Sequence, residues 1–379
     1  MNTKTLLANS IPHIEDQLQQ HLTGGFKPTL AIVFSSITFD LDAVRATFDR
    51  HDIDVFGCST AGEILNEEVH DSVIAALLLD IDRKYYGIHF GEYEGKGPFL
   101  TGKEAGAFSK SHFSNPAILV NSGGVTIDAE QIVFGLKSGA GGEVPIFGGL
   151  AADDLGFKRT YAFSRHGITD NGLVVLTFDN DRVEIKGLAT SGWEGVGMEN
   201  TITRAEGNIV YTINDEPALD VFIKYFGYFD NSEVKGKALS TISAQYPLQI
   251  LRDDGTTVLR SPLVGKHDDR TLILAGGVRQ GDKFRFSISP GFEVIEKTID
   301  DFGYLRQNTD QADALILFSC KGRHAALGPL IEDEIKGIYD FWRKPMIGFF
   351  TYGEIGPTKK GICEFHNETC SLVVLKEKV

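Results

Sequence analysis

Three short apolar runs end in small polar residues: Leu30–Ser36, residues 117–122 and Ala314–Cys320. Their continuous aliphatic character predicts buried strands. A stretch with helical periodicity follows each run. Leu41, Val44 and Phe48 share one face in the first; Leu327, Ile331, Ile335, Ile338 and Trp342 do so in the third. Residues 126–136, in the second, are more uniformly apolar and still compatible with a helix. A second apolar run then enters a glycine-rich turn at residues 55–64, 146–155 and 346–355. Six residues after Gly57, Gly148 and Gly348 stands an acid: Glu63, Asp154 and Glu354. The first and third turns also share Thr60 with Thr351 and Gly62 with Gly353. Apolar segments at residues 73–79, 173–175 and 372–375 close each unit. The repeating pattern is strand, helix, strand, turn, strand.

Residues 181–290 interrupt the repeat. Residues 183–188 and Ile209–Ile213 have strand patterning, with a hairpin-turn candidate at Glu206, Gly207 and Asn208. Pro217 sits where a helix would start, and that helix should run to about Phe226. Two more apolar segments, 272–276 and 284–289, flank a turn candidate at 279–282. The first 25 or so residues predict an N-terminal helix, on the pattern of residues 13–20. The fold class expected is α+β, with mixed sheets and flanking helices built from the repeated units in two lobes.

Composition narrows the function. The chain has 379 residues, 42% of them hydrophobic, enough for more than one core. Its net charge of -15 repels phosphate backbones and anionic membranes, so neither nucleic acid nor a membrane surface is an expected partner. No apolar run reaches the length of a membrane span, and no signal-peptide core is present, so a cytoplasmic location is expected. Four cysteines without a CxxC pair read as free thiols, and no metal site is expected. Catalytic signatures fail on inspection. Residues 57–61 lack the last glycine of G-x-S-x-G, residues 91–96 fall short of a P-loop, and there is no HExxH. The expectation is a binding protein; a hydrolase using Ser59 near Glu63 is the alternative.

Several motifs occur in a fixed order. They are FGCSTAGEI from Phe56, GGLAADD from Gly148, the Gly192-Trp193 pair, VYTINDEPALDVF from Val210, FSCKGR from Phe318, GFFTYGEIGP from Gly348 and FHNET from Phe365. Together they span almost the whole chain, which resembles the FIST family of sensory proteins. The resemblance implies an N-terminal helical segment over 1–27, a FIST N-terminal domain over 28–225 and a FIST C-terminal domain over 226–379. It implies a small ligand, amino acids having been proposed for the family. It also implies output in trans through a histidine kinase, a cyclic-di-GMP enzyme or a chemoreceptor. One branch of the family binds heme and senses nitric oxide, which makes heme the alternative cofactor. Edge strands in such units allow a homodimer.

The candidate ligand-binding residues follow from the repeat. Glu63 and Glu354, with Thr60 and Thr351, would hold an ammonium or amide group if both turns face one cleft. The alternative is that each acid caps its own turn. Asp154 is the third acid of the set. Arg323, just past a strand end, is placed to pair with a carboxylate or to form an internal ion pair. Tyr352 is placed to line the pocket or the core. His324, His366 and His267 are the candidates for an axial heme ligand.

Overall fold

A computed structural model describes residues 1–226, 245–252, 255–289, 291–309 and 311–378. Pro290, the expected end of the interruption, lies outside the described residues. Unit one comprises β1 (Asn2–Ala8), α1 (Ile11–Leu22), β2 (Leu30–Ser36), α2 (Leu41–Arg50), β3 (Asp54–Thr60), a hairpin of β4 (Glu63–Leu65) and β5 (Glu68–His70), and β6 (Ile74–Asp80). Unit two repeats the order: β7 (Tyr86–Glu92), α3 (Gly97–His112), β8 (Pro116–Gly123), α4 (Ala129–Ala140), β9 (Ile146–Leu150), the hairpin β10 (Ala162–Ser164) and β11 (Gly167–Thr169), and β12 (Gly172–Asp179).

Unit three opens with β13 (Val183–Thr190) and is then interrupted. The insertion holds β14 (Glu194–Glu206), β15 (Ile209–Ile213), β16 (Glu216–Pro217), α5 (Ala218–Phe226), β17 (Leu248–Leu251), β18 (Thr257–Arg260), β19 (Pro262–Lys266), β20 (Thr271–Leu274) and β21 (Lys283–Ile288). The unit resumes with α6 (Phe292–Gln307), β22 (Ala314–Cys320), α7 (Lys321–Leu327), α8 (Leu330–Trp342), β23 (Met346–Thr351), the hairpin β24 (Glu354–Pro357) and β25 (Cys363–His366), and β26 (Cys370–Glu377).

Each unit builds a mixed sheet from four of its own strands, and a neighbour supplies the hairpin that finishes it. The sheet orders are β1-β6-β2-β3-β10-β11, β7-β12-β8-β9-β24-β25 and β13-β26-β22-β23-β4-β5. Hairpins are therefore passed around a ring. Unit two's enters sheet one, unit three's enters sheet two, and unit one's enters sheet three. The repeated glycine explains how the strands approach. A Cβ at Gly57, Gly148 or Gly348 would overlap the carbonyl oxygen of Val33, Val120 or Leu317 on the adjacent parallel strand.

The alternation of strand side chains builds the core. Leu30, Ile32 and Phe34 of β2, Ala117 and Leu119 of β8, and Ala314, Ile316 and Phe318 of β22 all meet in one central cluster. Their sequence neighbours face outward, beneath the helices: Ala31 and Val33, Ile118 and Val120, Leu315 and Leu317. Both faces are buried, which is why these strands read as unbroken apolar runs. Phe34, Phe318 and Phe349 stack at the centre, with ring centroids 4.4 to 6.2 Å apart. The insertion has its own core, including Val210, Leu219, Phe222 and Phe286. Its fully buried Arg260 ties it to the ring, through an ion pair with Glu130 and a 3.0 Å bond to the carbonyl of Phe365.

The α+β fold with mixed sheets and flanking helices is what forms. One expectation is corrected at the N-terminus. The helix begins only at Ile11, capped by the side chain of Ser10. Residues 2–8 form β1, antiparallel to β6, with Leu6 and Ala8 buried. Seven residues with two inward positions leave too short an alternation to stand out in the sequence.

Candidate functional site

The repeated threonine and acid form clamps that hold the exchanged hairpins. Thr60 ends β3, Glu63 opens β4, and the threonine hydroxyl donates to Oε1 of the acid. The backbone N–H of Val73 donates to Oε2 at 3.3 Å. In unit three Thr351 donates in the same way to Glu354, and Thr369 donates its hydroxyl at 2.7 Å and its N–H at 3.3 Å to Oε2. Both acids are fully buried. Burial pushes each up to about 8, helped by Asp154 and Asp71 at Glu63 and by Glu368 at Glu354. Each acid is bonded within its own turn and hairpin.

Unit two departs from the pattern. In the sheet register Glu63 faces Phe349, Glu354 faces Gly149, and the equivalent position opposite Cys58 is Ala162. Ala151 stands where the threonine would be, three residues after Gly148. The intervening turn is longer, and Asp154 sits on it, exposed and with a left-handed φ of 52°. Its neighbour Asp153 organises that turn instead. Asp153 accepts the N–H groups of Phe157 at 2.8 Å, Lys158 at 2.8 Å and Arg159 at 3.1 Å, and the Tyr352 hydroxyl at 2.6 Å.

Arg323 is fully buried and spends its guanidinium internally. It pairs with Glu334, accepted by both carboxylate oxygens, and donates to Thr298 at 2.8 Å. It also donates to the carbonyls of Ser191 and Glu368, and lies 5.1 Å from the centre of the Trp193 ring. This is the internal ion pair of the two readings, with Glu334 as partner rather than a repeated acid.

A cleft of about 90 Å³ opens at one place where ring and insertion meet. The loop after β8, the start of α7, and Thr351 and Tyr352 supply the ring side; Ser261, Leu263 and Leu274 supply the insertion side. Tyr352 is fixed there. Its hydroxyl accepts the N–H of Leu155 at 2.7 Å, and its ring stacks on Phe157 with centroids 4.7 Å apart. Asn367 and Glu368, between β25 and β26, form part of the wall. Glu368 has a φ of 53° and is 1% exposed. Its Oε1 accepts the Ser261 hydroxyl at 2.8 Å. Among the described residues, its Oε2 and Oδ1 of Asn367 are buried without a hydrogen-bond partner. A side chain at Gly322 would overlap Glu368 Oε1, so the glycine makes room for the acid. Burial pushes Glu368 up to about 8, against the pull of the Ser261 hydroxyl and of Arg323. Two spare acceptors, in a cleft walled by apolar Ile127, Leu155 and Leu274 and by polar Thr126, Asn208 and Lys321, call for a ligand that donates N–H bonds. The sequence contained the signal, FHNET, but nothing in it separated these two residues from the rest of the motif.

Residues 29–216 match the model of the FIST N domain, and residues 218–357 that of the FIST C domain. The chain belongs to the FIST family. FIST domains are sensory domains of signalling proteins. The uncharacterised protein MJ1623 of Methanocaldococcus jannaschii is 22% identical over 383 residues, covering 89% of this FIST chain and 71% of the relative. Among solved structures, a chorismatase crystal structure aligns over 98% of both chains at 10% identity, with a TM-score of 0.35, too slight a likeness to carry weight. Among the described residues no helix is long and apolar enough to cross a membrane.

The three histidines considered as axial heme ligands lie outside the cleft. His366 is buried, with Nε2 bonded to the Gly356 carbonyl at 2.9 Å. His324 is stacked on Phe350 at 4.1 Å. Burial pushes both down to about 4, and Lys321 adds to the fall at His324. His267 is exposed in the turn between β19 and β20.

Proposed function

We propose that this FIST chain senses a small N–H-donating ligand, such as an amino-acid-like amine, and passes the signal to a separate protein. The carrying observation is the pair of unpartnered buried acceptors, Glu368 Oε2 and Asn367 Oδ1, in the cleft where ring and insertion meet. An ammonium group there satisfies both, and a small aliphatic side chain suits Ile127, Leu155 and Leu274. Such a ligand touches the ring and the insertion at once, so occupancy biases how the insertion sits. In this reading the receiver is a histidine kinase, a cyclic-di-GMP enzyme or a chemoreceptor, the partners the family resemblance implies.

The test is thermal denaturation of the purified chain against a panel of amino acids and simple amines, with native mass spectrometry for a retained metabolite. The expected result is a saturable rise in melting temperature with one ligand class, lost in Glu368→Gln. No shift across the panel and no retained mass would sink the reading.

A further inference from the structure

A second pocket, of about 330 Å³, is walled by the segment after β13, by β17 and β18, by α6 and by the turn after β24. Its chemistry is the reverse of the cleft's. The cleft offers spare acceptors; this pocket gathers donors and positive charge. The Gly192-Trp193 pair supplies one wall. Gly192 has a φ of 83°, and a Cβ there would press to 3.1 Å from the Val294 carbonyl, so the turn requires glycine. It delivers Trp193, 3% exposed, whose indole N–H is buried without an acceptor among the described residues. Thr358 also has a buried hydroxyl with no partner among the described residues. Lys297 and Lys359 line the same pocket, as do Ser191 and Thr257. Among the described residues, Asp301 pairs with Lys359 and also accepts the Thr190 hydroxyl.

An unsatisfied indole donor is costly to bury, and the ligand that repairs it must be an acceptor. Lysines converging on one pocket of a chain with net charge -15 favour an anion there. Lysine is a point charge suited to phosphate, and hydroxyl and indole donors around it match phosphate's several oxygens. We propose that this pocket binds a small phosphate-bearing anion. It stands apart from the cleft and does not rest on the reading given above, although Arg323 touches both sites, through the Ser191 carbonyl on one side and the Glu368 carbonyl on the other.

Isothermal titration calorimetry of the full chain with inorganic phosphate and pyrophosphate tests it, with acetate and chloride at matched ionic strength as controls. Saturable binding of either phosphate species is expected, weakened roughly tenfold by Lys297→Ala, as loss of one charge-assisted contact does. Lys297 is exposed, so that variant keeps the fold. A second readout uses Trp342→Phe, which leaves Trp193 as the single tryptophan. Its emission should change over the same concentration range. No saturable binding, an equal response to acetate or chloride, or unaltered affinity in Lys297→Ala overturns the proposal.

Discussion

Glu354 opens the hairpin of β24 and β25 and Glu368 follows its second strand, two residues past His366, the register partner of Glu354, and the two acids look alike by most measures. Both are buried, and burial pushes both up to about 8. Their hydrogen bonds separate them. Glu354 is fully used, by Thr351 on one oxygen and by Thr369 twice on the other. Glu368 holds Ser261 with one oxygen and leaves the other idle. Burial and a raised pKa therefore do not tell a structural acid from a binding one; the count of spare lone pairs does. The repeat carries the same lesson. Glu63 and Glu354 recur because each anchors the hairpin it opens, whereas the third hairpin carries Ala162 at that place.

The comparison is most easily broken by stability. Glu354→Ala strands three buried donor groups and should cost about 3 kcal/mol, read from denaturant midpoints, with Glu63→Ala somewhat less. An equal loss in Glu368→Ala would erase the distinction. The second effect is on binding. Glu368→Gln should lower affinity for the amine ligand tenfold or more, about 1.4 kcal/mol.

The third prediction concerns pH. These acids ionise near 4.5 in the unfolded chain and near 8 in the folded one. Between those values the folded state holds protons that the unfolded state has released. Stability should therefore fall as pH rises from about 4.5 to about 8, and level off above that. In Glu368→Gln the fall should be shallower by up to about 1.4 kcal/mol per pH unit, one proton's share. Urea titrations at several pH values measure it, and an unchanged slope would place the Glu368 proton in error. The smallest effect belongs to Tyr352→Phe. It removes the bonds to Asp153 and Leu155 but keeps the stack on Phe157, and should cost about 1 kcal/mol in the same titrations.

Much of the ring was legible. The runs at Leu30, Ala117 and Ala314 are strands, and the pairs Thr60 with Glu63 and Thr351 with Glu354 are true equivalents. What spacing could not show is which strand a hairpin pairs with, because pairing across units leaves no local mark. For the same reason Asp154 looked like the third acid when Ala162 holds its place: the longer turn displaced the register after Gly148. The opening strands β1 and β7 escaped notice because their buried positions are few: Leu6 and Ala8 in the first, Tyr86 in the second. Arg323 looked available because its partner Glu334 lies a helix away, and Asn367 and Glu368 stood out only once the insertion was seen to close over them.

The passing of hairpins has a consequence for how such a chain came to exist. A single unit expressed alone would have an open sheet edge and an unhoused arm, and three copies could satisfy one another with cyclic symmetry. The polypeptide is in effect a trimer whose subunits have been joined end to end. The three copies are no longer alike: two hairpins keep the threonine and acid, and the third has Ala162 in the acid's place.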